Sequence, residues 1–73
     1  MATLLTKSEA AEVQKAVNFA RIDPRFAAAS LAGVMRSCRR KSAFAYMSTV
    51  MYEHGLREHM EVVNGCYVAK VAA

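Results

Sequence analysis

"HMEVVNGCYVAKV", residues 59–71, is where the hydrophobic rhythm of this chain changes. Asn64-Gly65 stands between two β-rich runs. An Asn-Gly pair readily adopts the two positive φ angles of a tight hairpin turn, so it is the strongest short-range hairpin signal. With a two-residue turn, Val63 faces Cys66, Val62 faces Tyr67 and Met60 faces Ala69. One side of the ribbon then carries Met60, Val62, Tyr67 and Ala69 and is expected to pack inward. The other carries Glu61, Val63, Cys66, Val68 and Lys70, which is more apolar than a solvated face requires. An isolated hairpin is marginal in water, so this one must pack on something upstream.

What lies upstream is helical. "TKSE", residues 6–9, is a capping box: Thr6 caps and Glu9 reaches back three residues, each side chain satisfying a backbone N–H at the other's position. The helix is expected over 7–21, with Ala10, Val13, Val17 and Ala20 as its buried stripe. Glu12 and Lys15 fall on its wet side, close enough to pair weakly. In "IDPRF", residues 22–26, Asp23 caps a second helix and Pro24 takes the first helical position, where its missing N–H costs nothing. That helix is expected over 24–39, with Ala27, Leu31, Val34 and Cys38 on one face. Gly33 in its middle costs about 1 kcal/mol against alanine. With Ala29 and Ala32 nearby, it points to a close crossing by another helix. Ser42 is expected to cap a third helix over 43–54, with Phe44, Met47, Val50 and Met51 facing the core. Gly55 ends it in a left-handed conformation, and Leu56 folds back on Met51 in a Schellman-type ending. With the hairpin at 58–71, the expected fold class is α+β, mainly α: one domain over 1–73, three helices and a C-terminal β-hairpin.

Composition agrees with a folded chain: 55% hydrophobic, 22% charged, with one proline and three glycines. A domain of this size buries only about 60% of the surface its unfolded chain exposes, so it is marginal alone. No run approaches the roughly 18–20 apolar residues of a membrane span. The start "MATLLTKSEA" lacks a basic region followed by an apolar core, so no signal peptide is expected. A cytoplasmic protein follows, with Cys38 and Cys66 as free thiols.

Chemistry-bearing constellations are sparse. Cys38, His54, His59 and Cys66 are two thiols and two imidazoles. His54 and His59 have four residues between them, a spacing zinc accepts. The closely spaced cysteine pair of a structural zinc site is missing, so no metal is expected. Cys66 and His59 could form a nucleophile pair, but nothing orients a third group. There is no phosphate-cradling glycine loop or carboxylate pair either. No catalytic residue, cofactor or small-molecule ligand is expected.

The net charge is +4 with a pI near 9.4, which favours an anionic partner. Four of the ten basic residues sit in "RSCRRKSAF", residues 36–44, and no acidic residue occurs between Asp23 and Glu53. Three helices and a hairpin are also the order of a small winged-helix domain, with the third helix as reader of the major groove. From Ala43 to Leu56, however, there is no Lys or Arg. The exposed positions there are Tyr46, Ser48, Thr49, Tyr52 and Glu53, poor in the side chains that read base edges. Nucleic acid is therefore the weaker partner. A protein partner fits better, because arginines beside aromatic anchors typify interfaces. The expected partner-binding residues are Arg36, Arg39, Arg40, Lys41, Tyr46, Arg57 and Lys70, on a chain expected to be monomeric.

In its 73-residue length, basic balance and single compact domain, the whole chain resembles the small transcription regulators of lytic Xanthomonas bacteriophages that bind the host RNA polymerase. The resemblance implies binding to the largest polymerase subunit near the sigma-binding region. It implies opposition to sigma-dependent initiation, suppression of termination, and action in the host bacterial cytoplasm without catalytic residues or cofactor. It carries no contact residues over to this chain; those above come from charge and exposure.

Overall fold

The computed structural model describes residues 5–70. Its elements are α1 (Lys7–Phe19), α2 (Pro24–Ser37), α3 (Lys41–Glu53), a 3-10 turn (Arg57–His59), β1 (Met60–Val63) and β2 (Cys66–Ala69). The architecture is α+β and mainly α, with three helices followed by a two-stranded antiparallel hairpin. Position 71, the expected end of the hairpin, lies outside the described residues.

The local signals act as chemistry dictates. Thr6 Oγ1 accepts from the Glu9 N–H at 3.1 Å, and Glu9 Oε1 accepts from the Thr6 N–H at 2.9 Å. The Asp23 carboxylate accepts from the Phe26 N–H at 3.2 Å. At the end of α3, Gly55 takes φ +67°. The Leu56 N–H donates to Met51 O at 2.9 Å and the Gly55 N–H to Tyr52 O at 3.3 Å. Those two bonds define a Schellman ending. The hairpin register is Met60↔Ala69, Glu61↔Val68, Val62↔Tyr67 and Val63↔Cys66. Asn64 and Gly65 both take positive φ, 52° and 79°.

Four helix boundaries differ from expectation, the smallest difference being the end of α3 at Glu53 instead of position 54. α1 stops at Phe19, two residues short of Arg21, because Pro24 disfavours the helical conformation at Asp23 and the chain needs a turn to reach it. α2 ends at Ser37, since Cys38 is already extended at ψ 127°. α3 begins at Lys41 with Arg40 in the capping position, so Ser42 is not the cap, and no side chain caps that end. The first helical bond of α3 runs from the Phe44 N–H to Arg40 O at 3.0 Å.

α2 is the central element, touching α1 on one side and α3 and the hairpin on others. Ala27, Ala28, Leu31, Ala32 and Met35 are its buried residues. Around them close Val13 and Ala16 of α1, Met47, Val50 and Met51 of α3, then Leu56 and Met60. Four of the six largest fully buried side chains are methionines, unbranched chains that fill irregular gaps between unlike elements. The buried stripe of α1 is centred on Val13 and Ala16, while Ala10 is exposed. Val62 was expected to face the helices but is 53% exposed. Only the Met60 end of that side of β1 reaches the core, while Tyr67 opposite Val62 packs against it from β2. Gly33 meets no crossing helix: a Cβ built there finds nothing within 4 Å.

Candidate functional site

The corner where α2 passes into α3 is built from three link residues, Cys38, Arg39 and Arg40, and the helix ends on either side. Arg36 lies exposed in the last turn of α2, where a cation offsets the partial negative charge of the terminal carbonyls. Arg39 is exposed in the link. The Cys38 thiol points forward along it and donates to Arg40 O at 3.6 Å. Lys41 is the first residue of α3 and is exposed. Arg36, Arg39 and Lys41 form no ion pair among the described residues.

Arg40 has a different place. Its guanidinium reaches across to α1 and donates to the Glu9 carboxylate. Glu9 therefore does two things at once: it closes the capping box of α1 and ties α1 to the α2–α3 corner. The Thr6 backbone N–H, followed by the Arg40 hydrogen bond, holds the Glu9 carboxyl below the usual carboxylate range. The same hydrogen bond raises the Arg40 guanidinium. Arg40 thus joins the corner as a strut as much as a contact.

A cleft of about 180 Å³ opens beside the corner, lined by Met35, Arg36, Cys38, Phe44, Gly65, Cys66 and Tyr67. Phe44 and Tyr67 stack across it with centroids 6.1 Å apart. Arg57 lies over the Tyr67 ring at 5.4 Å and donates to Met60 O at 2.7 Å. Through these rings Arg57 adjoins the same feature as Arg36. Its donor to Met60 O makes it a brace for the hairpin's start. Tyr46 is 43% exposed. It lies two positions after Phe44, about 200° around α3, so it faces away from the cleft. Lys70 keeps an exposed side chain at the end of β2, its N–H bonded to His59 O at 2.9 Å. The seven expected contact residues therefore divide. Arg36, Arg39 and Lys41 form an open basic corner, Arg40 and Arg57 are engaged within the fold, and Tyr46 and Lys70 lie elsewhere.

Cys38 and Cys66 line one cleft as free thiols. Neither histidine lines it, and His59 pairs instead with Glu58 at 3.3 Å. Among the described residues no three or more His, Cys, Asp or Glu side chains gather around a common point. No described helix is long and apolar enough to cross a membrane.

Comparison with protein-family models, curated proteins and solved structures found no match.

The electrostatics of the corner follow from its own geometry. Arg40 and Lys41 stand at the N-terminus of α3, the positive end of its dipole, with no acidic residue in the first turn and no side-chain cap. A cation placed there is disfavoured where one at the other end would be favoured, and Arg40 offsets this through its ion pair with Glu9. The backbone N–H groups of that first turn add their own positive potential. The corner is thus an anion-facing surface in which Lys41 stands where the dipole of α3 disfavours it.

One apolar feature escaped the sequence reading. Phe19, Ile22 and Phe26 come together at the α1–α2 turn, and all three are exposed. A signal did exist: Ile22 lies between two helices and belongs to the stripe of neither.

Proposed function

We propose that this protein is a non-enzymatic transcription regulator of the phage type that binds host bacterial RNA polymerase. It acts at the sigma-proximal region of the largest subunit, opposes sigma-dependent initiation and suppresses termination. The observation that carries the reading is the basic corner. Arg36, Arg39 and Lys41 are exposed and unpaired among the described residues, and Lys41 stands where the dipole of α3 disfavours it. A lysine held against local electrostatic preference is best explained by a partner that reverses the sign. An acidic protein surface supplies that reversal.

The test is binding to purified bacterial RNA polymerase core by wild type and by the triple variant Arg36/Arg39/Lys41→Ala. Arg40 is left in place because it holds Glu9. The triple variant is expected to bind at least roughly tenfold more weakly, with a shallower salt dependence, since close interfacial charge pairs contribute more than about 1.4 kcal/mol together. Equal binding by both proteins, or none by the wild type, refutes the reading.

The second reading is a winged-helix-like DNA-binding regulator. It is favoured by the three-residue link between α2 and α3 and by the hairpin that follows. The exposed side of α3 offers Tyr46 and Tyr52, and the Thr49 hydroxyl is turned onto Ala45 O at 3.1 Å. DNA would then be held by its phosphates and should bind with a steep salt slope. Absence of binding to random duplex DNA at low salt removes this reading.

A further inference from the structure

The α1–α2 turn presents a preformed apolar knob. Ile22, at its tip, is 78% exposed, the highest of any large hydrophobic residue described, with Phe26 and Phe19 exposed beside it. The two rings meet edge to face with centroids 5.1 Å apart and planes at 74°, an arrangement that fixes both. Lys15 lies over Phe26, its Nζ 5.6 Å from the ring centroid. Arg21 and Arg25 are exposed on either side of Ile22 and make no ion pair among the described residues. The nearby Asp23 carboxylate is engaged by the Phe26 N–H as the cap of α2. Lys15 pairs with Glu12 at 3.3 Å, and the Glu12 and Asp23 carboxylates offset part of the charge, so the rim keeps a small positive surplus around an apolar tip.

This knob and the basic corner sit at opposite ends of α2. Arg25 and Arg36 are eleven residues apart on that helix. That spacing is about three turns, so the two side chains lie about 20° apart around the axis and about 16 Å apart along it. One face of α2 thus carries a cation near each end, and the apolar knob adjoins one of them.

We infer that the Phe19–Ile22–Phe26 knob is a second anchor on the same protein partner, entering an apolar notch bordered by carboxylates while the α2–α3 corner engages a neighbouring acidic surface. The inference rests on the polymerase-binding reading and adds the contact that fixes orientation. Other occupants fit less well. A second copy of the chain in a two-fold dimer would set this basic rim against its own copy. Single-stranded nucleic acid needs free ring faces for stacking, whereas Phe26 has a face covered by Lys15 and an edge-to-face contact with Phe19. A membrane surface calls for a whole apolar helix face, and the apolar faces of α1 and α2 are turned to the core. An aromatic-and-aliphatic tip within an arginine rim has the make-up of an interface hot spot.

The experiment measures affinity for purified bacterial RNA polymerase core by calorimetry. It compares wild type, Ile22→Ser, Ile22→Asp, Arg25→Glu and the Arg36/Arg39/Lys41→Ala variant. Ile22 and Arg25 are exposed, so all knob variants should melt with the wild type by circular dichroism. Ile22→Ser is expected to bind roughly tenfold to a hundredfold more weakly, the size set by burying one aliphatic side chain. Ile22→Asp and Arg25→Glu should be weaker still, and the Arg25→Glu loss should shrink as salt rises. Loss in the corner variant with wild-type affinity in every knob variant overturns this inference and leaves the proposed function standing. Loss in the knob variants alone supports the knob and overturns the corner. A wild type that does not bind polymerase overturns both. A parallel arm uses vesicles of phosphatidylserine and phosphatidylcholine in equal parts. Vesicle binding by wild type that Ile22→Asp abolishes, with polymerase binding unchanged, overturns the protein partner in favour of a lipid one.

Discussion

Replacing Gly33 by alanine should stabilise this protein, and the sign of that effect tests the packing of α2 directly. Gly33 lies in the interior of α2 with ordinary helical backbone, since the positive-φ glycines are Gly55 and Gly65. A helical glycine costs about 0.8–1.0 kcal/mol relative to alanine through lost backbone entropy and exposed peptide groups. That gain is cancelled wherever the new methyl meets a neighbour. Here a Cβ meets nothing within 4 Å. Gly33 instead opens into a groove of about 430 Å³ between α1 and α2, shared with Ala29, Ser30 and Ser37. No steric term offsets the helix term, so the net effect is about +0.8–1.0 kcal/mol. For a domain of this size each kcal/mol moves the melting temperature by about 4–8 °C. Thermal and urea melts followed by circular dichroism at two protein concentrations read the change. A melting temperature that stays level or falls refutes the reasoning. It would mean that another helix fills the groove in solution, as the glycine suggested from sequence. A loss that deepens with protein concentration would identify that helix as belonging to a second copy.

Three further outcomes follow from the core, the strut and the turn. Leu56→Ala removes a fully buried side chain that completes the α3 ending. It should cost about 2–5 kcal/mol, much of what a chain this short has, seen as loss of the cooperative melt near room temperature. Glu9→Gln should lower stability, because it removes the charge shared by Thr6 and Arg40. In the wild type the folded Glu9 carboxyl lies below its unfolded value. Its stabilisation is thus present above the unfolded value and fades as the pH falls through the folded value; a pH series in which the two proteins do not converge in acid refutes the strut. Gly65→Val places a β-branched residue at φ +79° and should cost about 1–2 kcal/mol. Nuclear magnetic resonance should show the loss concentrated in the hairpin, and equal melts for both proteins would refute the turn assignment.

Much of this fold could be read from local chemistry. Thr6 with Glu9, Asp23 before Pro24, Gly55 before Leu56 and Asn64-Gly65 each act over a few residues. Their bonds form as the residue types demand. The candidate site was legible only as charge. That Arg36–Lys41 is basic is plain in the sequence. That Arg40 leaves the cluster for Glu9, 31 residues away, is not. Arg57 is similar: its place over Tyr67 depends on how the hairpin lies against the helices. Ser42 looked like a cap because serine caps well in isolation. The chain starts α3 earlier, with Arg40 tied to Glu9 and Ala43 fully buried.

By itself, then, the sequence determines the three helices, their order, the hairpin and its register, and the surplus of positive charge. These rest on interactions between residues close in the chain, whose energies depend little on the rest of the molecule. The tertiary structure alone decides which cations stay open to a partner, which side of the hairpin meets water, and whether Gly33 has a neighbour. It also brings Phe19, Ile22 and Phe26 together at one corner. Those outcomes depend on how α2 is covered by its neighbours, and packing between distant segments is set by shape and buried area that no local pattern encodes.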